Sequence, residues 1–292
     1  MLKLAADRDR LAASSDEVRR TVEIVWSAYR SVLSHDQLAY LSTAITSGRR
    51  MWAAAFSFGF KGPEELKAKA PDVLRDTVIL PNIVAGTTAA RHIATTTKAP
   101  VVAPAIFEAR GQRWTQDEYM ALWLRMIEEN VGTIYMAPDW EYSNGGAEEY
   151  LHAVQMALGF RSRFDIVPMS TTGEVILPHT GADLIGKALL WIHERGGRAP
   201  VLVQVYRSLV TLLMVHHSPD VMHDLPALAN PVIRNGLSNS VETLGDCKRL
   251  IELDYGYSGF HTGIDLVRGI PRSSDATPED VGLKAEDPSD PG

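Results

Sequence analysis

Four apolar runs of strand length, LAYLST (38–43), PVVAPAIF (100–107), VGTIYMAP (131–138) and RFDIVPM (163–169), are spaced so that helical material lies between them. Two parallel strands need a crossover of a dozen or more residues, usually a helix, so this alternation points to βαβ units and a mostly parallel sheet. Few other architectures accept strands so far apart in the chain.

The intervening segments fit that frame. Residues 15–33 place Val18, Val22, Val25, Trp26, Tyr29 and Leu33 at helical intervals, and Ser14 with Glu17 three residues on reads as a capping box. Helical material follows the loop AITSGRR from about Met51, and KGPEELKAKAP reads as a linker or short helix. TVILPNIVAGT (77–87), interrupted by Pro81 and Gly86, is ambiguous, whereas TAARHIATTTK reads as a helix despite its threonines. Thr115 is placed to cap QDEYMALWLRMIEEN, whose Tyr119, Leu122, Trp123 and Met126 share one face that belongs to a core.

The expected organisation is an N-terminal helix (1–36) and a flavodoxin/Rossmann-like α/β domain of parallel strands flanked by helices (37–172). A C-terminal helical extension (173–271) follows, containing DLIGKALLWIHERG and segments near 200–215 and 240–254, then a disordered tail (272–292). The tail's polar, proline-containing sequence has too little apolar surface to offset ordering.

A hydrophobic fraction of 45% over 292 residues is ample for a packed core. The net charge of -7 argues against coating nucleic acid and leaves room only for a local basic pocket. Cys247 is the single cysteine, which excludes an intrachain disulfide and a thiolate metal cluster and suits a core position. The first residues lack the apolar run of an export signal, and VLVQVYRSLVTLLMV (201–215) is short and carries Arg207, so the expectation is a cytoplasmic protein without membrane spans.

In an open parallel sheet, ligands bind beyond the carboxyl ends of the strands. Two loops occupy such places: AITSGRR after residues 38–43, and DWEYSNGG after residues 131–138. In the second, Gly145 and Gly146 allow close backbone approach, Ser143 offers a hydroxyl, and the start of the following helix favours an anion, which together make a phosphate seat. Glu148 and Glu149 are expected in the first turn of that helix, where the macrodipole favours the ionised carboxylate. Glutamate in a first turn is also common for capping alone.

Ser143, Gly145, Glu149 and Ala153 spell S-x-G-x-x-x-E-x-x-x-A, which resembles the signature of the nucleoside 2-deoxyribosyltransferase-like superfamily, including the deoxynucleoside 5′-monophosphate N-glycosidases. Trp140 and Glu141 are similar to that family's GWE-x-S-x-G variant, with Asp139 where Gly is usual, and AYLSTAITSGRR is similar to its opening strand and small-residue loop. The resemblance covers about residues 38–170.

It implies N-glycosidic bond cleavage or base transfer on a (deoxy)nucleoside 5′-monophosphate, with Glu149 as the nucleophile and Tyr40 orienting or protonating around it. It further implies substrate binding by Ser143, Gly145, Thr46, Ser47, Gly48, Arg49, Asp139 and Trp140, with Arg50 an alternate cation and Trp52 an alternate surface for stacking on the base. No metal or organic cofactor is implied. The implied partners are the small-molecule substrate and further copies of the chain in a homo-oligomer.

Two other readings stand beside it: an effector that cleaves NAD or a signalling nucleotide by the same chemistry, and a non-catalytic nucleotide-binding or interaction protein. The cluster His216, His217, Asp220, His223 and Asp224 matches no standard zinc spacing. Tyr255, Tyr257 and His261 read as a packing turn, and no Walker loop or strand-linked G-x-G-x-x-G is present.

Overall fold

The computed structural model describes residues 11, 14–32, 38–107, 114–159, 164–169, 176 and 178–216. They belong to one compact unit ending at His217. The segments near 240–254, Cys247, the aspartates and remaining histidines of the 216–224 cluster, the 255–261 aromatic loop and the tail lie outside the described residues.

The order is α1 (Asp16–Val32), β1 (Leu38–Ser42), α2 (Arg49–Ser57), α3 (Pro63–Lys69), α4 (Pro71–Leu74), a π turn (Arg75–Ile79) and α5 (Leu80–Thr97). Then come β2 (Val101–Val102), α6 (Gln116–Asn130), β3 (Val131–Met136), α7 (Asn144–Gly159), β4 (Asp165–Pro168), α8 (Pro178–His193) and α9 (Pro200–His216). All strand pairs are parallel and the sheet order is β2-β1-β3-β4, giving a Rossmann-like α/β fold with helices against the sheet. The chain steps from β1 to one side and from β3 to the other, so the gap between their carboxyl ends is a topological switch point.

The ambiguous segment 77–87 is helical. The π turn stands immediately before Pro81, with Leu80 donating its N–H to the Arg75 carbonyl, and such a widened turn accommodates the proline's missing donor. The threonines of α5 are tolerated because Thr88, Thr95, Thr96 and Thr97 each return a hydroxyl hydrogen bond to the carbonyl four residues back.

Three boundary expectations are corrected. The run 100–107 contributes only Val101–Val102 to the sheet, because Pro104 cannot donate to a ladder and opens a 3-10 turn, Pro104–Ile106, that leaves Ile106 exposed. The first helix is capped by Ser15, whose Oγ accepts from the Val18 N–H at 3.2 Å, rather than by Ser14 with Glu17. No division falls at residue 36 or 172: Val22 and Trp26 of α1, Ile185 and Ile192 of α8 and Leu202 and Leu209 of α9 enter the same core as Tyr40, Ile134 and Val154. The Thr115 cap of α6 forms as a full box with Glu118.

The approach of α8 to α7 depends on Gly181. A Cβ there would stand 2.1–2.2 Å from the Tyr150 side chain, whose ring packs, tilted by 33°, at 4.4 Å from that of Trp140. Gly181→Ala is expected to destabilise the fold by about 1–3 kcal/mol through overpacking. Thermal unfolding checks it, and an unchanged melting temperature would show that Tyr150 repacks freely.

Candidate active site

The loops after β1 and β3 meet at the switch point. The Ala137 N–H donates to the Ser42 carbonyl at 3.0 Å, and the Ser47 and Ser143 hydroxyls bond to one another at 2.7 Å across the two loops. Gly48 turns the first loop into α2 with φ 86°, where a Cβ would stand 2.7 Å from that of Ala44. Asp139 turns the second with φ 64°, a left-handed conformation that Asp tolerates better than most residues.

Ser143 precedes α7 as its cap: its Oγ accepts from the Gly146 N–H at 3.2 Å and its carbonyl from the Ala147 N–H at 2.9 Å. The helix therefore begins at Asn144, and Glu148 and Glu149 sit in its second turn, correcting the expected first-turn placement. The dipole effect fades within the first turn, so burial governs Glu149 instead.

Glu149 is 4% exposed and accepts a 2.6 Å hydrogen bond on Oε1 from the Tyr40 hydroxyl, while Tyr40 is fully buried in β1. Burial pushes the Glu149 carboxyl up to about 7, the Ser42 and Tyr40 hydroxyls pull it down, and neighbouring Glu148 pushes it up further. Burial, reinforced by the Glu149 charge and hydrogen bond, holds the Tyr40 phenol well above its ordinary value, so Tyr40 remains a donor. The expected ionised carboxylate is thus replaced by one poised near neutrality.

Arg49, at the start of α2, lies 3.8 Å from Asp139, with its guanidinium 5.7 Å from the Tyr142 ring and 5.6 Å from that of Trp191 in α8. Half-exposed, the Arg49–Asp139 pair adds little stability and leaves the cation available to an anion. Burial raises the Glu141 carboxyl, assisted by Asp139 and opposed by Arg49; the Tyr142 phenol is raised by burial too.

Thr46 and Arg50 are exposed, and Gly145 faces Gln116 and Met120. Trp140 is buried against Tyr150, and Trp52 is buried with its N–H donated to the Tyr142 carbonyl at 3.3 Å, so both indoles are packed inward. The structure joins Tyr40 to Glu149, Ser47 to Ser143, and both Arg49 and Gly48 to Asp139, and it packs Trp52 and Trp140 inward.

Sequence reasoning missed Asn82, whose amide pins the first loop through the carbonyls of Ile45 at 3.0 Å and Ser47 at 3.5 Å, and Trp191, which flanks Arg49. It also passed over Ser42, although the two-residue strand period from Tyr40 marks it.

Among the described residues no group of three or more His, Cys, Asp or Glu side chains is arranged to hold a metal, and no helix is long and apolar enough to cross a membrane. No family model, curated protein or solved structure matches this chain.

Proposed function

We propose that this protein cleaves the N-glycosidic bond of a (deoxy)nucleoside 5′-monophosphate, or transfers its base, using Glu149 as nucleophile. The observation that carries the reading is the buried Tyr40–Glu149 hydrogen bond at the switch point between two serine-bearing loops. In the first step a Glu149 carboxylate oxygen bonds to C1′, the C1′–N bond breaks, and the base leaves with its electron pair and takes up a proton. In the second, water or an incoming base attacks C1′ and gives up a proton to solvent, matching the one the leaving base took up, the ester C1′–O bond breaks, and the carboxylate returns. No metal or organic cofactor enters that cycle.

Tyr40 fixes the carboxylate for attack. Ser47 and Ser143 offer hydroxyls to a 5′-phosphate, Gly48 and Gly145 let the backbone come close, and Arg49 supplies the compensating charge. Asp139 orients Arg49. Assembly of several copies, and a cytoplasmic setting, belong to the same reading.

The test is chromatographic. Free base is expected from one or more ribo- or deoxyribonucleoside 5′-monophosphates in preference to the matching nucleosides, with NAD in the panel to register the effector alternative. No base from any member, with or without an acceptor base, would overturn the reading. A non-catalytic nucleotide-binding role would then lead, and it has one observation in its favour. At positions 124 and 125, near where the resembled family carries an aspartate, Leu124 is buried and Arg125 lies 3.6 Å over the Trp26 ring, paired with Glu23 and Glu129.

The first step needs an ionised nucleophile. The kcat/KM for base release is therefore expected to rise with pH and level off above about 7, the midpoint belonging to Glu149 in the free enzyme. A profile flat from pH 5 to 9 would remove Glu149 from that role.

A further inference from the structure

β1 sends alternate side chains to opposite faces of the sheet. Leu38 and Tyr40 enter the large core with α6 and α7, whereas Ala39 and Leu41 pack with Ala89, Ala90 and Ile93 of α5. Ser42 therefore faces the Tyr40 side, toward Glu149. Thr43 faces α5, its Oγ1 3.2 Å from where a Cβ on Gly86 would stand.

Ser42 has no exposed surface, and its hydroxyl forms no hydrogen bond of normal geometry among the described residues. A buried hydroxyl left in that condition is costly, and in a native site it calls for a role. Tyr40 supplies one hydrogen bond to Glu149, and an ionised carboxylate accepts up to about four, so capacity for a second hydroxyl remains.

We propose that Ser42 is a positioning residue for Glu149: its hydroxyl turns onto the carboxylate as that group ionises, giving the anion a second donor beside Tyr40. The inference rests on the reading of Glu149 as the nucleophile. Ser42 lies close enough to favour the ionised form of Glu149, the same direction in which Tyr40 acts. Among the described residues the charge acting on it is that of Glu148 on the same helix, which opposes ionisation, while His152 one turn on lies 4.0 Å from Glu128 of α6. Loss of Ser42 thus leaves Tyr40 as the remaining hydroxyl that favours the anion.

The experiment follows the Glu149 carboxyl directly, by carbon NMR of protein labelled at the glutamate side-chain carboxyl, with the resonance assigned by its disappearance in Glu149→Gln. Ser42→Ala is expected to move the titration midpoint up by about one pH unit, as is Tyr40→Phe. Thr43→Val removes a buried hydroxyl from the opposite face and leaves the midpoint in place, and Ser42→Thr restores it. In base release, Ser42→Ala lowers kcat/KM about tenfold at pH 6 but within about twofold at pH 9, a pH-selective loss that a merely structural role does not produce. A Ser42→Ala midpoint equal to that of the parent, or moved equally by Thr43→Val, overturns the proposal. If no substrate releases base while the carboxyl titration still follows Ser42, the catalytic reading falls and the placement of Glu149 by Ser42 stands.

Discussion

Glu149→Gln is expected to raise the melting temperature by roughly 6–12 °C at pH 8.5 and to leave it nearly unchanged at pH 4.5. In the folded chain burial pushes this carboxyl up from 4.5 to about 7. Below the unfolded value both states hold the proton and the site costs nothing. As pH rises from there through the folded value, the unfolded state sheds its proton first, and stability falls by on the order of 3 kcal/mol.

Glutamine keeps the shape of the protonated acid, still accepts from Tyr40 and cannot ionise, so it escapes that loss. Every other carboxylate titrates alike in the two proteins, and the difference between them isolates Glu149. Buried catalytic groups commonly trade stability for function in this way. Parallel curves of melting temperature against pH would show that Glu149 does not titrate as a buried acid.

The architecture was legible where one physical signal dominated. VGTIYMAP has no proline before its end and became β3, because a strand paired on both edges is specified by its apolar run alone. PVVAPAIF carries the same apolar content, yet Pro104 removes a ladder donor and ends pairing after two residues. The fate of TVILPNIVAGT turned on whether Pro81 breaks a helix, which depends on the π turn before it and is invisible to periodicity.

The site divides in the same manner. The order of the two loops after β1 and β3 made their meeting legible, and Ser47 and Ser143 touch there, while Glu149 lies on Tyr40 of β1. The charge state of Glu149 was not legible, because it follows from how many residues of α1, α6, α8 and α9 complete the core over α7. That is a property of tertiary packing, and because α7 starts at Asn144, taking in Gly145 and Gly146 that were expected in the loop, Glu149 falls beyond the first turn. Asn82 and Trp191 reach the site from helices with no local motif to mark them.

Base release is expected to fall by at least about 10³-fold in Glu149→Gln, and to stay within about threefold of the parent in Glu148→Ala. Successive residues of a helix point about 100° apart, so two adjacent glutamates cannot serve one nucleophilic role. Glu149 is buried on Tyr40, whereas Glu148 is half-buried and acts on Glu149 through its charge. Removing that charge favours ionisation of Glu149 and moves the pH midpoint slightly down, the reverse of the Tyr40→Phe effect. Because glutamine preserves the hydrogen bond to Tyr40, lost turnover in a variant that unfolds no earlier than the parent cannot be assigned to misfolding. Nucleotide binding retained by Glu149→Gln, measured by calorimetry, would place the loss in the chemical step. Turnover retained in Glu149→Gln would transfer the chemistry to another group, and loss in Glu148→Ala alone would name which one.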